Sequence, residues 1–425
     1  MESIVLVCTV GGSHQPVVTA IRELAPAHVC FLCTDRDPTT GQQGSRVQVE
    51  GKGSVINARN TDPGPTLPNI PTQAGLEEDA YEVRLVAADD LDAVAGVAAE
   101  AFADLAGRYP EARLLADYTG GTKTMTAGLT VAALERPDVE LRLVTGARAD
   151  LVRVHDGTQA GASAMVERVR IQRAMAPHLA AWAHYGYGAA ALGLEGVDRP
   201  RDPVLRGEWQ IANDLSRAFD AWDRFDHARA QPLLVAYRPR IGQRAGRLLT
   251  FLEILASGAD DSRREPARLF DLWLNAQRRA AQSRYDDAVA RAYRLLEWSA
   301  QWLLRARAGI DTSDVPPERV PGDITLRPGR DGRLQAGLFE AWALVAGLLE
   351  GPSAAFAREQ SSVMLDHLKA RNASILAHGF EPIDREAWER FSAWLESAFL
   401  PVLRQEAVVA GFRMDPPQLP DAPLW

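Results

Sequence analysis

Ile4-Val5-Leu6-Val7-Cys8-Thr9-Val10 is an unbroken apolar run that stops at Gly11-Gly12-Ser13. Such a run is the pattern of a strand covered on both faces. Pro16 then opens a helical stretch to about Leu24, as proline suits a first helical turn. Val29 to Cys33 reads as a second strand. Residues 35 to 75 are rich in Pro, Gly, Thr and Asn and read as a long loop. Val83 to Val86 reads as a strand, and Leu91 to Leu105 has helical spacing. Arg113 to Tyr118 predicts another strand, ending at Thr119-Gly120-Gly121-Thr122. Lys123 to Leu134 predicts the next helix, Val139 to Thr145 a strand and Asp150 to His155 one more. This alternation predicts an α/β domain over residues 1–160, with a mostly parallel sheet and helices on both faces.

Beyond Ser163 the strand signal ceases. Helical patterns cover Val166–Gly186, Glu208–Ala230, Gly242–Ala256, Pro266–Ala280, Tyr285–Ala306, Leu334–Leu349, Ala355–Leu376 and Asp384–Val408. The stretch Ile310–Gly332, rich in Pro, Gly, Asp and Arg, reads as a surface loop. The expected organisation is a helical connector at 161–264 and an all-α domain at 265–425.

Composition narrows this picture. A chain of 425 residues is long enough for two or three domains, and 46% apolar residues supply their cores. The net charge of −9 argues against wrapping long nucleic acid over the whole surface, but leaves room for a local phosphate pocket. The three cysteines, Cys8, Cys30 and Cys33, all fall in the first 33 residues, which does not suit a secreted disulfide scaffold. Cys30 and Cys33 sit inside an apolar run and read as small buried hydrophobes. No secretory leader is visible, and no apolar run approaches the ~20 residues of a membrane span. A cytoplasmic protein is expected. Lysine occurs only at Lys52, Lys123 and Lys369 in an arginine-rich chain, which draws attention to each.

In a parallel sheet, ligands bind beyond the carboxyl ends of the strands. Two such ends carry glycine-rich turns leading into helices: Thr9-Val10-Gly11-Gly12-Ser13 and Thr119-Gly120-Gly121-Thr122-Lys123. Helix N-termini favour anions, glycine permits close approach, threonine offers hydroxyls and lysine a point charge. The second turn lacks the G-x-x-x-x-G-K-[ST] spacing of a Walker loop. The residues thus imply an anionic, phosphate-bearing ligand, against the plainer reading of two structural turns with capping threonines.

Asp117-Tyr118-Thr119-Gly120-Gly121-Thr122-Lys123-Thr124-Met125 resembles the characteristic turn of CARF domains, the CRISPR-associated Rossmann-like sensors. Thr9 to Ser13 followed by Pro16 is similar to their first loop. The resemblance covers roughly residues 1–155. It implies a Rossmann-like fold that dimerises and binds a cyclic oligoadenylate across the two-fold axis.

The second chemical signal is Arg371-Asn372-Ala373-Ser374-Ile375-Leu376-Ala377-His378-Gly379. A seven-residue spacing on a helix is close to two full turns, so both side chains would share a face about 10 Å apart along the axis. Histidine moves protons near neutral pH, and arginine holds a phosphate and stabilises developing charge. The pair could therefore cleave RNA by attack of its 2′-hydroxyl, with Asn372 orienting. Alone, an Arg and a His on one helix face are common and weak support.

This segment resembles the R-x(4–6)-H motif of HEPN ribonucleases. Ala276-Gln277-Arg278-Arg279-Ala280 through Tyr285 to Arg294 and Glu297 resembles the opening helices of that domain. Ala221-Trp222-Asp223-Arg224-Phe225-Asp226-His227 is similar to a connecting region in the same subgroup, the CARF–HEPN ancillary ribonucleases of type III CRISPR systems. The resemblance implies a homodimer with a composite HEPN site, activation by a cyclic oligoadenylate and cleavage of single-stranded RNA. It implies no metal or other required cofactor, and no metal-ligand spacing stands out among the eight histidines. The alternative left open is a CARF regulator or scaffold whose helical domain is inactive.

Overall fold

The structure is a computed structural model that describes residues 3–51, 68–145, 160–330, 332–372 and 380–425. The chain divides into two compact units, Met1–Arg173 and Ala174–Trp425.

The first unit is built on β1 (Ile4–Thr9), α1 (Gln15–Leu24), β2 (His28–Cys33), α2 (Ile70–Ala74), β3 (Tyr81–Leu85), α3 (Leu91–Arg108), β4 (Arg113–Asp117), α4 (Lys123–Leu134), β5 (Val139–Thr145), β6 (Ala160–Ser163) and the first half of α5 (Glu167–Ala180). The strand order is β3-β2-β1-β4-β5-β6. β1 to β5 are parallel and β6 runs antiparallel to β5. Strand side chains alternate between faces, which explains the unbroken apolar run. Val5 and Val7 pack with α3 and α4 residues such as Val94, Phe102 and Leu129. Leu6 and Cys8 pack on the other face with Val17 and Ile21 of α1. Burying each such aliphatic side chain contributes about 1.5–3 kcal/mol.

The chain runs outward from β1 through β2 to β3, then returns to place β4 on the other side of β1. The order therefore reverses between β1 and β4, which creates the crevice where open α/β sheets bind ligands.

Several boundaries differ from the sequence expectation. The strand expected at Asp150–His155 lies outside the described residues; the sixth described strand is β6. The unit continues past residue 160 because Arg170 of α5 donates to the carbonyls of Ala133 (2.9 Å) and Val139 (2.5 Å). The long 35–75 segment holds a short 3-10 turn, Ser45–Gln48, and α2, whose cap Asn69 accepts from the Thr72 N–H. Cys8, Cys30 and Cys33 are free and buried, as their apolar setting implied. Burial raises all three thiols, Cys33 to about 12.

The second unit is helical: α6 (Tyr187–Glu195), α7 (Pro203–Asp223), α8 (His227–Ala236), α9 (Arg238–Ile241), α10 (Gly246–Leu255), α11 (Arg264–Ala281), α12 (Tyr285–Leu303), a hairpin of β7 (Arg327–Pro328) and β8 (Leu334–Gln335), then α13 (Leu338–Leu348), α14 (Pro352–Asn372), α15 (Arg385–Trp394) and α16 (Leu400–Val409). One apolar core runs from Trp182 to Leu419 and includes Trp222, Phe251, Trp273 and Trp342. The expected connector and C-terminal segments thus share a core. The helix expected over Glu208–Ala230 is broken: Phe225 takes a left-handed φ of 64°, and Asp226 caps α8 by accepting from the Arg229 N–H. Tyr185, at φ 55°, similarly ends the stretch expected to run to Gly186. Near the C-terminus a π turn, Leu395–Phe399, separates α15 from α16. Among the described residues no helix is long and apolar enough to cross a membrane.

Candidate ligand site and ribonuclease motif

The two glycine-rich turns meet at the crevice. Thr9 ends β1, and its Oγ1 donates to the Gly120 carbonyl at 2.5 Å. A Cβ on Gly11 would stand 2.5 Å from the Gly121 nitrogen, and one on Gly120 would stand 2.5 Å from the Thr9 carbonyl oxygen. Gly121 has φ +94°, a conformation that side chains resist. Gly11, Gly120 and Gly121 are therefore required by the packing of loop on loop. Gly12 differs: it is exposed, and a Cβ there would meet nothing within 4 Å.

The threonine hydroxyls are committed to holding the loops. Thr119 Oγ1 accepts from the Val144 N–H at 2.7 Å. Thr122 Oγ1 accepts from the Met125 N–H at 3.1 Å, capping α4, and donates to the Ala88 carbonyl at 2.6 Å. Thr9 and Val10 are fully buried. The hydroxyls that sequence chemistry offered to a phosphate thus build the site from beneath. The exposed residues at its surface are Gly12, Ser13 and Lys123, with Lys123 opening α4. The positive end of that helix dipole and the lysine charge suit an anion.

One supporting residue was missed, and another was named only as part of the motif. Gln48, in the long insertion, donates from Nε2 to the Gly11 carbonyl at 2.9 Å and braces the first loop. Asp117 ends β4, and its Oδ1 accepts from the Thr119 N–H at 2.9 Å. Its Oδ2 is buried without a hydrogen-bond partner. Burial raises the Asp117 carboxyl pKa, against the hydrogen bonds from Thr119.

In the helical unit, Arg371 and Asn372 close α14; their side chains, and His378 altogether, lie outside the described residues. Lys369 is exposed and pairs with Asp366 at 3.1 Å. His367, next to Asp366, is half-buried and stacks on Phe391. Glu297, in the segment that resembles the domain's opening helices, pairs with Arg294 at 2.6 Å.

The segments that carried the upstream resemblance form one buried polar network. Asp223 accepts from Arg278 Nε at 2.7 Å and from Asn275 Nδ2 at 3.0 Å, and it pairs with Arg279. Arg278 is fully buried and also donates to Gln418 Oε1 at 2.6 Å. Asp271 accepts from Trp222 Nε1 at 3.1 Å and contacts His227 Nε2 at 2.8 Å. Arg291 donates to Asn275 Oδ1 at 2.5 Å. Asp271, Asn275 and Arg278 follow an i, i+4, i+7 spacing, a polar stripe on α11 visible in the sequence. Among the described residues no group of three or more His, Cys, Asp or Glu is placed to hold a metal ion.

Fold and site together define a class: an α/β unit with paired anion-facing loops at its topological switch point, followed in the same chain by a helical unit. Within the helical unit, residues 261–399 match the family model described as the Csm6 HEPN domain. That span encloses Arg371, Asn372 and His378. Enterococcus italicus Csm6, solved bound to cyclic hexa-2′-fluoro-hexa-dAMP, shares the fold with a TM-score of 0.57 at 11% identity. The match covers 97% of this chain and 95% of that one. No curated protein matches the sequence. Residues 261–399 thus match a HEPN domain of the Csm6 kind, and the whole chain shares the Csm6 fold, a Rossmann-like N-terminal unit followed by a helical one.

Proposed function

We propose that the protein is an endoribonuclease of type III CRISPR antiviral defence, acting on single-stranded RNA when a cyclic oligoadenylate binds its N-terminal unit. The observation that carries this reading is the Csm6 HEPN match over residues 261–399, which encloses the Arg371–His378 motif. The crevice between β1 and β4 supplies the complementary half, with Lys123 and the start of α4 facing an anion. The fold shared with a Csm6 solved on a cyclic oligoadenylate analogue supports that ligand class.

In this reading residues 1–160 sense the ligand, 161–264 connect, and 265–425 cleave. Gly12, Ser13 and Lys123 meet the ligand, while Thr9, Val10, Gly11 and Thr119 to Thr122 shape the pocket. A homodimer places two pockets about one two-fold axis and two Arg371–His378 pairs in one composite site. His378 moves the proton of the attacking 2′-hydroxyl or of the leaving oxygen. Arg371 stabilises charge on the scissile phosphate, and Asn372 orients the pair. The chemistry as written needs no metal, and the protein acts in the cytoplasm.

One assay tests sensing and catalysis together: RNA cleavage with cyclic oligoadenylates of several ring sizes, with none, and with a chelator present. Cleavage should require a cyclic ligand and survive chelation. His378→Ala should lower cleavage by about 10²-fold or more, the scale of lost acid–base catalysis, and leave ligand binding intact. Undiminished cleavage by that variant would refute the site assignment. Ligand binding without cleavage by the wild type would favour the regulator reading.

A further inference from the structure

Side chains on one face of α14 reach Phe391 and Trp394 of α15. Phe356, Gln360, Met364 and His367 recur at spacings of four, four and three, which keeps them on one helix face. Phe356 and Met364 are buried, and the Phe356 ring lies 5.9 Å from that of Trp394. Gln360 Oε1 accepts from Trp394 Nε1 at 3.0 Å. His367 completes the stripe: its ring centroid lies 4.8 Å from Phe391, at 23° between planes, and 5.1 Å from Trp394. Arg371 lies about one helical turn further along α14.

We infer that His367 is a positioning residue for the ribonuclease site, clamping the last turns of α14 onto α15 through its stacked ring so that Arg371 is held in register. This rests on the ribonuclease reading above. The physical need is specific. Helix ends fray unless tied down, and misplacing a catalytic group by about 1 Å can cost on the order of 10²-fold in rate. His367 lies four residues from Arg371, the nearest of these stripe contacts to it. A half-buried imidazole suits the place because its flat face stacks while its polar edge stays wet. Burial lowers the His367 pKa; Asp366 opposes this and Arg390 assists it.

The test uses the full chain with its activator, comparing His367→Ala with His367→Phe. The alanine variant should lose roughly tenfold or more in kcat, with the KM for RNA and the activator half-saturation unchanged. The phenylalanine variant, which keeps the plate, should restore kcat. If the alanine variant does not fold, His367→Leu is read in its place; it keeps bulk without a flat ring and should show the same loss of kcat. Wild-type kcat in the alanine variant, or in the leucine variant read in its place, overturns the inference. A phenylalanine variant that fails to recover overturns it too, because the imidazole chemistry rather than the stack would then matter. Wild-type cleavage abolished by His378→Ala keeps the ribonuclease reading intact whatever His367 does, whereas an inert wild type removes both.

Discussion

The loops of the α/β unit and the polar network of the helical unit both hold distant segments together, but with opposite materials. At the crevice the joint is backbone on backbone. Gly11 and Gly121 approach too closely for any Cβ, and Thr9 donates to the Gly120 carbonyl. In the helical unit the joint is side chain on side chain, with Asp223 gathering Asn275, Arg278 and Arg279 in the interior. The first leaves a surface of open backbone and one lysine, suited to a ligand. The second places charge where water is excluded, so every partner depends on the others. A site needs the former, and a rigid scaffold behind a site is served by the latter.

The network is the more fragile of the two. Asp223→Ala would leave Arg278, which is fully buried, with its Nε unpartnered, and would remove the pair of Arg279 as well. Breaking one side of a buried ion pair costs about 3–5 kcal/mol. Chemical denaturation should show a loss of that size. A loss near zero would mean that water reaches Arg278 and that the two joints are less different than their geometry implies.

Backbone joints should respond more modestly and more selectively. Gly121→Ala forces a side chain into φ +94° and brings Cβ to 3.0 Å from the Thr9 Cβ. Such strain costs of order 1–3 kcal/mol. Gly12→Ala meets open space and should leave thermal stability unchanged. Equal losses in the two variants, measured by thermal unfolding, would show that loop packing does not distinguish these glycines.

This contrast also explains what the sequence disclosed. The strands and glycine turns of the first unit were legible because their causes are local: apolar runs, and glycine at strand ends. Gln48 was not, since it reaches Gly11 from 37 positions away, out of a segment that reads as loop. The break at Phe225 was hidden because no glycine or proline lies between Asp223 and His227. In α11, Asp271 and Arg278 are buried, though polar residues on a helix ordinarily read as a wet face. The ribonuclease motif was the least legible by physics. An Arg and a His seven residues apart fit many helices, and the resemblance to HEPN ribonucleases distinguished this pair.

The smallest expected effect probes the crevice floor. Asp117 is an acid beneath an anion site, with Oδ1 engaged by the Thr119 N–H and Oδ2 buried without a partner. Its folded pKa is raised chiefly by burial. A carboxyl raised on folding contributes its stability fully below its unfolded pKa, about 4, and loses it as pH climbs through the folded value. An asparagine in its place would keep the Oδ1 acceptor and never ionise. Asp117→Asn should therefore raise Tm slightly at neutral pH, and the gain should shrink as pH falls toward the ordinary carboxylate range. Thermal scans of both proteins across that interval test this. A lower Tm at neutral pH would show that the Asp117 carboxylate accepts a bond that asparagine cannot, which would make it a working part of the site rather than the floor of a backbone joint.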